Sequence, residues 1–509
     1  LKMLFLIEVK NMILKENIIR YINAGYPILY VNTYEEIKFD GMLNEVTEAT
    51  SKKIMEWNGA DGLVDFKTKL PLVPNDEITL ENTLRYINSG DDLNNHILVL
   101  KDAHMFLNET HPDIISLLKR ICQKIQLNYI DGNIIIVSTI VNIPIEIEKF
   151  VTVFEMDDMS SEDIKSYIYE NLDDDYTISS SLLNEMALAF KGLSEYEIDS
   201  LINLSISENG EISRADLKLI AEQKRQIIKK TNILEMINVR EKIADVGGLE
   251  SLKKWLNKKS KVYKNIDKAM KFGVDMPKGV LIAGIPGCGK SLCAKVTSAL
   301  FEVPLLKLDM GKIMGKYLGE SETNMRKAIK LAENISPCVL WIDELEKAFA
   351  GIDGSGHEVT LRLFATFLTW LQEKETPVFV VATANDISKL PPELLRKGRF
   401  DEIFFVDLPN DSERRNVFNI HISKRRKSDL DSINIAMLAK ETKGFSSADI
   451  EAVVVDAVES SFADDKSCLT TEYLVDAIKR TKSLSVLMKD KLDELRKFYT
   501  EKSTFKSAT

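Results

Sequence analysis

The chain has 509 residues, of which 45% are hydrophobic and 28% are charged, and its formal net charge is −11 at pH 7. At about 100–200 residues per domain, this length predicts about three domains with apolar cores. The acidic balance argues against binding nucleic acid through a strongly basic surface. The five cysteines form no CxxC pair, which argues against a disulfide framework and a structural zinc site. No apolar run reaches the roughly 18 residues of a bilayer span, so we expect no membrane span and a cytoplasmic location.

The first third of the chain contains three apolar segments that predict strands, at 27–33, 97–102 and 133–139. The segment Leu-Val-Leu-Lys-Asp-Ala at 98–103 matches Val-Leu-Trp-Ile-Asp-Glu at 339–344, which pairs Asp102 with Asp343. A second match joins Gly-Leu-Ser at 192–194 to Gly-Phe-Ser at 444–446. The two matches predict an internal repeat. The alternative is that two α/β domains share only a general periodicity.

The second half of the chain alternates short apolar strands with helices of ten or more residues. The predicted strands lie at 279–282, 304–309, 338–343, 378–383 and 403–406. This alternation predicts a parallel sheet with helices on both faces. After Pro409 the pattern is helical to about residue 498, which indicates a small lid. We therefore expect four regions: an N-terminal α/β domain at 1–215, a helical connector at 216–243, an α/β nucleotide-binding domain at 244–409, and a helical lid with a C-terminal helix at 410–509.

The segment from Gly284 to Ser291 has the P-loop pattern GxxxxGKS, with a predicted strand before it and a predicted helix after it. Glycines let backbone N–H groups approach phosphate oxygens, and the helix N-terminus adds partial positive charge. In this pattern the lysine ammonium binds the β- and γ-phosphates of ATP, and the serine hydroxyl binds Mg²⁺. A redox role for the P-loop cysteine is the weaker reading, because a small residue is tolerated there. The predicted nucleotide-binding residues are Ile285, Pro286, Gly287, Cys288, Gly289, Lys290, Ser291 and Leu292.

Two acids, Asp343 and Glu344, stand at the end of a buried strand downstream of the P-loop. In open α/β sheets, ligands bind beyond the carboxyl ends of the strands. The spacing therefore predicts that Asp343 holds Mg²⁺ through water and that Glu344 orients and polarises the attacking water. The alternative is a pair of acids that only cap a helix.

Seven motifs in the second half resemble, in order, those of the AAA ATPase family. They are Asp-Val-Gly-Gly-Leu at 245–249, the P-loop, Gly-Glu-Ser-Glu at 319–322, the Asp-Glu pair, Ala-Thr-Ala-Asn at 382–385, the stretch 394–401 and the stretch 444–450. A narrower resemblance, carried by 366–374, 391–409, 483–485 and a preceding domain without a P-loop, is to AAA ATPases of algal plastid genomes and cyanobacteria. The resemblance implies an AAA fold with a helical lid, preceded by a degenerate AAA-like domain. It also implies a location in the plastid stroma if the gene is plastid-encoded.

The resemblance also implies roles for single residues. Asn385 resembles the sensor that hydrogen-bonds the γ-phosphate or the attacking water. Arg396 and Arg399 resemble the arginines that a neighbouring subunit inserts into the active site, and an always-charged guanidinium suits that task. The alternative for both arginines is a surface ion pair with Asp401 or Glu402. Arginines acting in trans imply a homo-oligomer, and the family implies a hexameric ring.

Two further pairs of residues are identified by the same resemblance. Val246 and Gly247 match the family's adenine-contacting segment. Tyr317 and Leu318 resemble the aromatic–aliphatic pore loop that grips a polypeptide, a task that an aromatic ring can perform on almost any sequence. The alternative is an ordinary loop tyrosine packed on its own helix.

The N-terminal domain lacks the residues for phosphoryl transfer. It has no P-loop pattern, Asp102 is followed by Ala103, the sensor position reads Val141, and 143–154 contains no Arg-x-Gly-Arg. We therefore expect no hydrolysis there, and a role in ring assembly or in docking a substrate or adaptor.

These features predict an ATP-hydrolysing, Mg²⁺-dependent, ring-forming remodeller of a protein partner that the sequence does not identify. One alternative is a nucleotide-gated regulatory scaffold with slow turnover. The other is a nucleic-acid motor or loader, which the net charge disfavours and which salt-sensitive binding to DNA or RNA would support.

Overall fold

The structure, a computed structural model, describes residues 4–509 apart from 74–78, 91, 157–158, 173–177, 210–211, 232, 314–319, 350–354, 397 and 502–505. The chain divides into two compact units, Leu1–Leu217 and Lys218–Thr509, called here the first and the second unit. Each unit contains one mixed sheet in which most strands are parallel. Within the described residues, no helix combines the length and apolar character needed to cross a bilayer.

The first unit is built on a six-stranded sheet in the order β3-β2-β4-β5-β1-β6. Only β3 runs antiparallel to its neighbour. Its strands are β1 (Ile28–Asn32), β2 (Lys53–Asn58), β3 (Gly62–Asp65), β4 (His96–Lys101), β5 (Gly132–Ser138) and β6 (Val151–Glu155). Its helices are α1 (Leu4–Asn23), α2 (Glu36–Thr50), α3 (Leu80–Ser89), α4 (Pro112–Gln126), α5 (Ser161–Asn171), α6 (Ser180–Phe190) and α7 (Glu195–Asn209).

The second unit is built on a seven-stranded sheet in the order β13-β12-β8-β11-β10-β9-β7. Its strands are β7 (Leu234–Ile237), β8 (Gly279–Gly284), β9 (Leu305–Leu308), β10 (Cys338–Ile342), β11 (Val378–Ala384), β12 (Glu402–Val406) and β13 (Lys506–Ser507). The helices before and within the α/β part are α8 (Leu217–Thr231), α9 (Glu250–Tyr263), α10 (Ile266–Lys271), α11 (Lys290–Phe301), α12 (Met310–Ile313), α13 (Glu320–Asn334) and α14 (Ser355–Glu373). The helices after it are α15 (Asp411–Arg426), α16 (Ile435–Glu441), α17 (Ser447–Ala463), α18 (Thr471–Arg480), α19 (Leu484–Leu487) and α20 (Lys489–Glu501).

The two sheets repeat one plan. If β13 is set aside, the strands β1, β2, β4, β5 and β6 of the first sheet occupy the same positions as β8, β9, β10, β11 and β12 of the second. An antiparallel strand completes the same edge in both, β3 beside β2 and β7 beside β9. The predicted α/β fold with a degenerate AAA-like first copy is therefore confirmed.

Packing follows the same plan. In each unit one apolar cluster fills one face of the sheet and a second cluster fills the other. In the first unit, helix α2 follows β1 and packs on one face of the sheet. In the second unit, helix α11 follows β8 and packs on the corresponding face. Helices α15–α18 enclose a separate core around Phe418, Val453 and Leu474, as expected for a lid.

The register corrects the predicted alignment by one residue. Side chains alternate along a strand, and Ile97 and Val99 of β4 face the cluster that contains α2. Lys101 therefore occupies the position that Asp343 has after β10. Asp102 instead matches Glu344, because both adopt left-handed φ values of 52° and 49° directly before a short 3₁₀ helix.

One segment departs from the sequence prediction. The connector predicted as helical over 216–243 is a helix to Thr231, and Leu234–Ile237 then pairs with β9 as an antiparallel strand. This strand has no strong local signal, because it is short and is placed by tertiary packing. The predicted C-terminal helix is present as α20. It packs on the α/β part, where the Tyr499 ring stacks on Phe405 at 3.6 Å between centroids.

Candidate nucleotide-binding site

The P-loop runs from the end of β8 to the start of α11, at the carboxyl edge of the second sheet. Gly287 has a φ of +73°, and a Cβ there would lie 3.0 Å from Ser446 Oγ. The N–H of Ala448 donates a hydrogen bond to the Gly287 carbonyl at 2.9 Å. The loop therefore needs glycine here for two reasons, its left-handed backbone and its close approach to the lid.

Lys290 lies at the head of α11 and is 6% exposed. Its ammonium donates to the carbonyl oxygens of Gly284 and Ile285 at 2.9 and 2.8 Å. Burial lowers its pKa to about 8, against the smaller opposing effect of nearby carboxylates. A buried ammonium whose partners are neutral carbonyl oxygens can bind an anion such as phosphate strongly.

Asp343, directly after β10, faces Ser291 at the head of α11. The Ser291 hydroxyl lies 3.1 Å from Asp343 Oδ1, and the Thr383 hydroxyl donates to the same oxygen at 2.7 Å. Hydroxyl and carboxylate oxygens are hard ligands of the kind that Mg²⁺ prefers, directly or through water, so this pair of residues fits the ion. Lys307 Nζ lies 3.9 Å from the other carboxylate oxygen. Among the described residues no cluster of three His, Cys, Asp or Glu side chains could hold a metal, so the remaining Mg²⁺ ligands would be phosphate and water.

Glu344 is held at the same edge by three contacts. Its N–H donates to Thr383 Oγ1 at 3.0 Å, and its Oε1 accepts a hydrogen bond from Asn385 Nδ2 at 3.0 Å. Its other carboxylate oxygen forms an ion pair with Lys347 Nζ. The Asn385 N–H in turn donates to the buried Glu346 at 3.0 Å. The structure thus joins Glu344 and Asn385, the two residues that the sequence predicted to act on the γ-phosphate and the attacking water.

A small pocket lies between the P-loop, the segment before α9 and the first lid helix. A Cβ on Gly247 would lie 2.5 Å from Val417 Cγ2, so this segment passes directly against α15. Burial raises the pKa of the Cys288 thiol to about 12, which leaves it protonated and opposes a redox role. The pocket is lined by Asp245, Val246, Gly247, Cys288, Gly289, Leu292, Val417, Ile420, His421 and Ser447.

The two candidate trans-acting arginines lie between β11 and β12. Arg399 donates to the Glu393 carbonyl and is partly buried, whereas Arg396 is exposed. In the part of the chain that the structure describes, no hydrogen bond or ion pair joins either guanidinium to the P-loop or to the acidic pair. The alternative partners are engaged elsewhere, because Asp401 pairs with Lys259 and Glu402 with Lys506. Tyr317 and Leu318, the predicted pore loop, lie outside the described residues.

Sequence reasoning did not single out four residues that the structure brings to the site. Thr383 is hydrogen-bonded to both Asp343 and Glu344. Its only sequence signal was its position two residues before Asn385. Lys347 and Lys307 reach the acids from the next turn and the next strand, so no motif marks them. His421 enters from the lid, where it lies 3.3 Å from Glu451 and where burial lowers its pKa.

The corresponding edge of the first unit contains the opposite arrangement of charge. Lys101, at the position of Asp343, donates to Asp40 of α2 at 2.7 Å and lies 3.6 Å from Glu56 and 3.9 Å from Glu36. Burial would lower the Lys101 pKa, but the Asp40 hydrogen bond and the acidic charges outweigh it and raise the pKa. A cation therefore ends the strand, with carboxylates of α2 and β2 around it, so the first unit's own side chains neutralise one another at this edge.

The lid contact is repeated as well. Ser194 and Glu197 cap the start of α7 as Ser446 and Asp449 cap α17. The N–H of Glu195 donates to the carboxylate of Glu35, just before α2, at 3.1 Å. A glutamate therefore takes the place that the P-loop backbone has in the second unit. The residue after β5 is Thr139, so the sensor position is Thr139 rather than the predicted Val141.

A P-loop between a parallel strand and a helix, an acidic pair on the adjacent strand and a helical lid together define a P-loop nucleoside triphosphatase. The chain belongs to the AAA ATPase family. The model of the ATPase family associated with various cellular activities matches residues 280–408, and the AAA+ lid domain model matches 432–476. The models of the SpoVK-like AAA ATPase N-terminal and second domains match 14–156 and 161–231.

Several curated proteins are similar over most of the chain. An uncharacterized AAA domain-containing protein ycf46 of Pyropia yezoensis is 37% identical over 486 residues, which cover 93% of this chain and 95% of that protein. The ycf46 protein of Guillardia theta is 36% identical over 483 residues, covering 93% and 92%. A proteasome-activating nucleotidase of Saccharolobus solfataricus is 32% identical over 270 residues, covering 52% of this chain and 68% of that protein. The narrower resemblance to plastid AAA ATPases is therefore confirmed.

Proposed function

We propose that the second unit hydrolyses ATP with Mg²⁺. The observation that carries this proposal is the meeting of Ser291, Asp343, Glu344 and Asn385 around one point beyond the buried Lys290 ammonium. Each residue type suits one task of phosphoryl transfer, and the strand and helix ends hold them together. The first unit takes no part in the reaction, because its corresponding position is occupied by its own ion pairs.

In this proposal each residue has one role. The P-loop N–H groups and Lys290 bind the β- and γ-phosphates, and a phosphate oxygen replaces the carbonyl partners of the ammonium. Ser291 and Asp343 would hold Mg²⁺, and the ion would supply positive charge to the phosphate groups. Glu344 orients a water for attack on the γ-phosphorus and accepts its proton once Asn385 turns to the γ-phosphate. Val246, Gly247 and the lid enclose the base.

The site also needs a positive charge on the transferring phosphoryl group, and the proposed source is a neighbouring copy. Among the described residues, neither Arg396 nor Arg399 is bonded to the chain's own P-loop, and arginines supplied in trans stabilise such charge strongly. We therefore place the active enzyme in a ring, of six copies by family resemblance. Its work is to remodel a protein partner, which the likeness to proteasome-activating nucleotidases supports. The plastid stroma, or the cytoplasm of a cell without plastids, is the proposed location.

The test is the ATPase rate against protein concentration, with particle sizing in ATP, for the unmodified chain, Glu344→Gln and Arg399→Ala. Specific activity should rise as the chain assembles. Glu344→Gln should bind ATP and assemble without turnover. Arg399→Ala should lose at least about 1,000-fold in rate, and mixing it with Glu344→Gln should partly restore turnover, because the intact arginine and the intact glutamate then meet in one site. Arg480→Ala, which removes an exposed lid arginine paired with Asp456, is the matched control and should leave the rate unchanged.

Two other results would contradict parts of the proposal. Concentration-independent activity in a monomer would rule out the trans arginines and the ring. Assembly with ATP but equally slow turnover in the unmodified chain and in Glu344→Gln would support the alternative function, a nucleotide-gated scaffold.

A further inference from the structure

The carboxyl edge of the first unit's sheet exposes large apolar side chains. Tyr34 and Ile37 follow β1 and are 73% and 83% exposed, and Met105 follows β4 and is 63% exposed. Ile140 and Ile145 follow β5 and are 49% and 85% exposed. Because β1, β4 and β5 are parallel, all five residues lie at one edge. Several large exposed apolar side chains at one edge indicate a surface that another molecule covers.

Part of this edge corresponds to the P-loop and the lid contact of the second unit. Tyr34 and Ile37 flank Glu35, whose carboxylate accepts the Glu195 N–H, and Tyr196 follows on α7 with 74% exposure. We call these three residues the tyrosine surface (Tyr34, Ile37, Tyr196). In the second unit the same position is where nucleotide would bind and where a neighbour's arginines would enter.

Another part corresponds to the segment that supplies those arginines. The second unit carries Arg396 and Arg399 between β11 and β12. The equivalent segment between β5 and β6 has no arginine and exposes Ile140, Val141 and Ile145. We call it the isoleucine loop (Ile140, Val141, Ile145). Both halves of the arginine–phosphate contact are thus replaced by apolar side chains.

We infer that the isoleucine loop of one copy of this chain packs on the tyrosine surface of the next copy. The inference rests on the proposed ring. If the rotation that relates neighbouring second units also relates neighbouring first units, the isoleucine loop of one copy meets the tyrosine surface of the next, head to tail. Such a heterologous contact joins two different surfaces, so a closed ring satisfies every copy. The contact needs no nucleotide, since the unit's own carboxylates and lysines fill the phosphate position. It therefore holds copies together independently of the ATP state.

Cross-linking tests the contact directly. Of the five cysteines, only Cys468 is exposed, so Cys468→Ser gives a suitable background. Ile37→Cys and Ile145→Cys in this background are treated, singly and mixed, with a short bis-maleimide. A head-to-tail contact predicts cross-linked dimers at least 10-fold more abundant in the mixture than in either variant alone, with or without ATP. Equal yields in all three samples would overturn the inference.

Charge insertion gives a second measurement. A carboxylate is costly to bury in an apolar contact, so Ile145→Asp should raise the protein concentration for half-assembly by at least 10-fold. The matched control is Tyr129→Asp, since Tyr129 is 72% exposed but lies just before β5, at the opposite edge. It should change assembly by less than 2-fold. Equal effects of the two variants would overturn the inference.

The two proposals fail differently. Suppose that the chain assembles and that mixing Arg399→Ala with Glu344→Gln restores turnover. If the cross-link is then absent and Ile145→Asp has no effect on assembly, the inference is wrong and the ring remains. If the cross-link forms but mixing Arg399→Ala with Glu344→Gln restores no turnover, the first units pair and the shared active site is wrong.

Discussion

The two units of this chain share one sheet order and differ at one edge. At that edge the second unit places a buried ammonium on the helix and a carboxylate on the strand, whereas the first places carboxylates on the helix and an ammonium on the strand. Their lysines respond in opposite directions: burial lowers the pKa of Lys290, while Asp40 raises that of Lys101 against the effect of burial. A fold can thus be kept while the lysine at this edge changes from one bound to neutral carbonyl oxygens to one paired with the unit's own carboxylates.

The largest expected effect concerns nucleotide binding. Lys290→Met removes charge-assisted hydrogen bonds of about 1.5–3 kcal/mol each, so the affinity for ATP should fall by about 1,000-fold or more. Equilibrium dialysis should find one nucleotide per unmodified chain and none on the variant. Lys295→Met, on the same helix but paired with Glu241, is the control. Remaining saturable binding in Lys290→Met would show that the first unit is a nucleotide site after all.

The next effect is on the stability of the first unit. Lys101→Met leaves Asp40 and Glu56 without their shared cation, and the Glu56 side chain is 3% exposed. Because Lys101 itself is partly exposed, we expect a loss of about 2 kcal/mol in the free energy of unfolding, below the 3–5 of a fully buried pair. Hydrogen exchange of the β1 and β4 amides measures it. Lys15→Met, which removes an exposed ion pair with Glu45, should cost much less. Equal protection in both variants would make the cluster unimportant for stability.

A third prediction concerns pH. The lowered pKa of Lys290, about 8, means that the free protein loses this positive charge as the pH rises through 8. A bound phosphate group favours the charged form of Lys290, so ATP binding above pH 8 takes up a proton. The affinity for ATP therefore falls by up to about 10-fold per pH unit above 8. Calorimetry at pH 8.5 in two buffers of different ionisation enthalpy measures the uptake. Lys290→Arg, always charged, should show none. An unmodified chain without uptake would contradict the lowered pKa.

The smallest effect concerns Lys347, which forms an ion pair with Glu344. In the first unit Met105 occupies the corresponding position. Lys347→Met should free the Glu344 carboxylate to polarise water. Since exposed ion pairs are weak, we expect a rise in ATPase rate of only about two- to five-fold. Lys479→Met, which removes an exposed lid ion pair, is the control. A fall in rate would instead assign Lys347 to phosphate binding.

Most of the fold and the core of the site could be predicted because both are encoded locally. The P-loop and the Asp343–Glu344 pair each lie in one short segment next to a strand. Contacts between distant segments could not be predicted, such as Thr383 with both acids or His421 from the lid. The one-residue error at Asp102 has the same origin, since pattern matching aligned like residues whereas the register aligns Lys101 with Asp343.

Helix α20 has a consequence for how the lid can move. The lid leaves the α/β part at Asp407, and the chain returns to that place, where Arg496 binds Asp407 with both Nε and Nη2 at 2.8–3.1 Å. Leu492, Leu495 and Tyr499 are buried in the cores of the α/β part. The lid is thus attached to the α/β part at both of its ends, so a displacement of the whole lid away from the sheet would have to break the Arg496–Asp407 contact or expose these buried side chains. Movements that keep both attachments in place cost less.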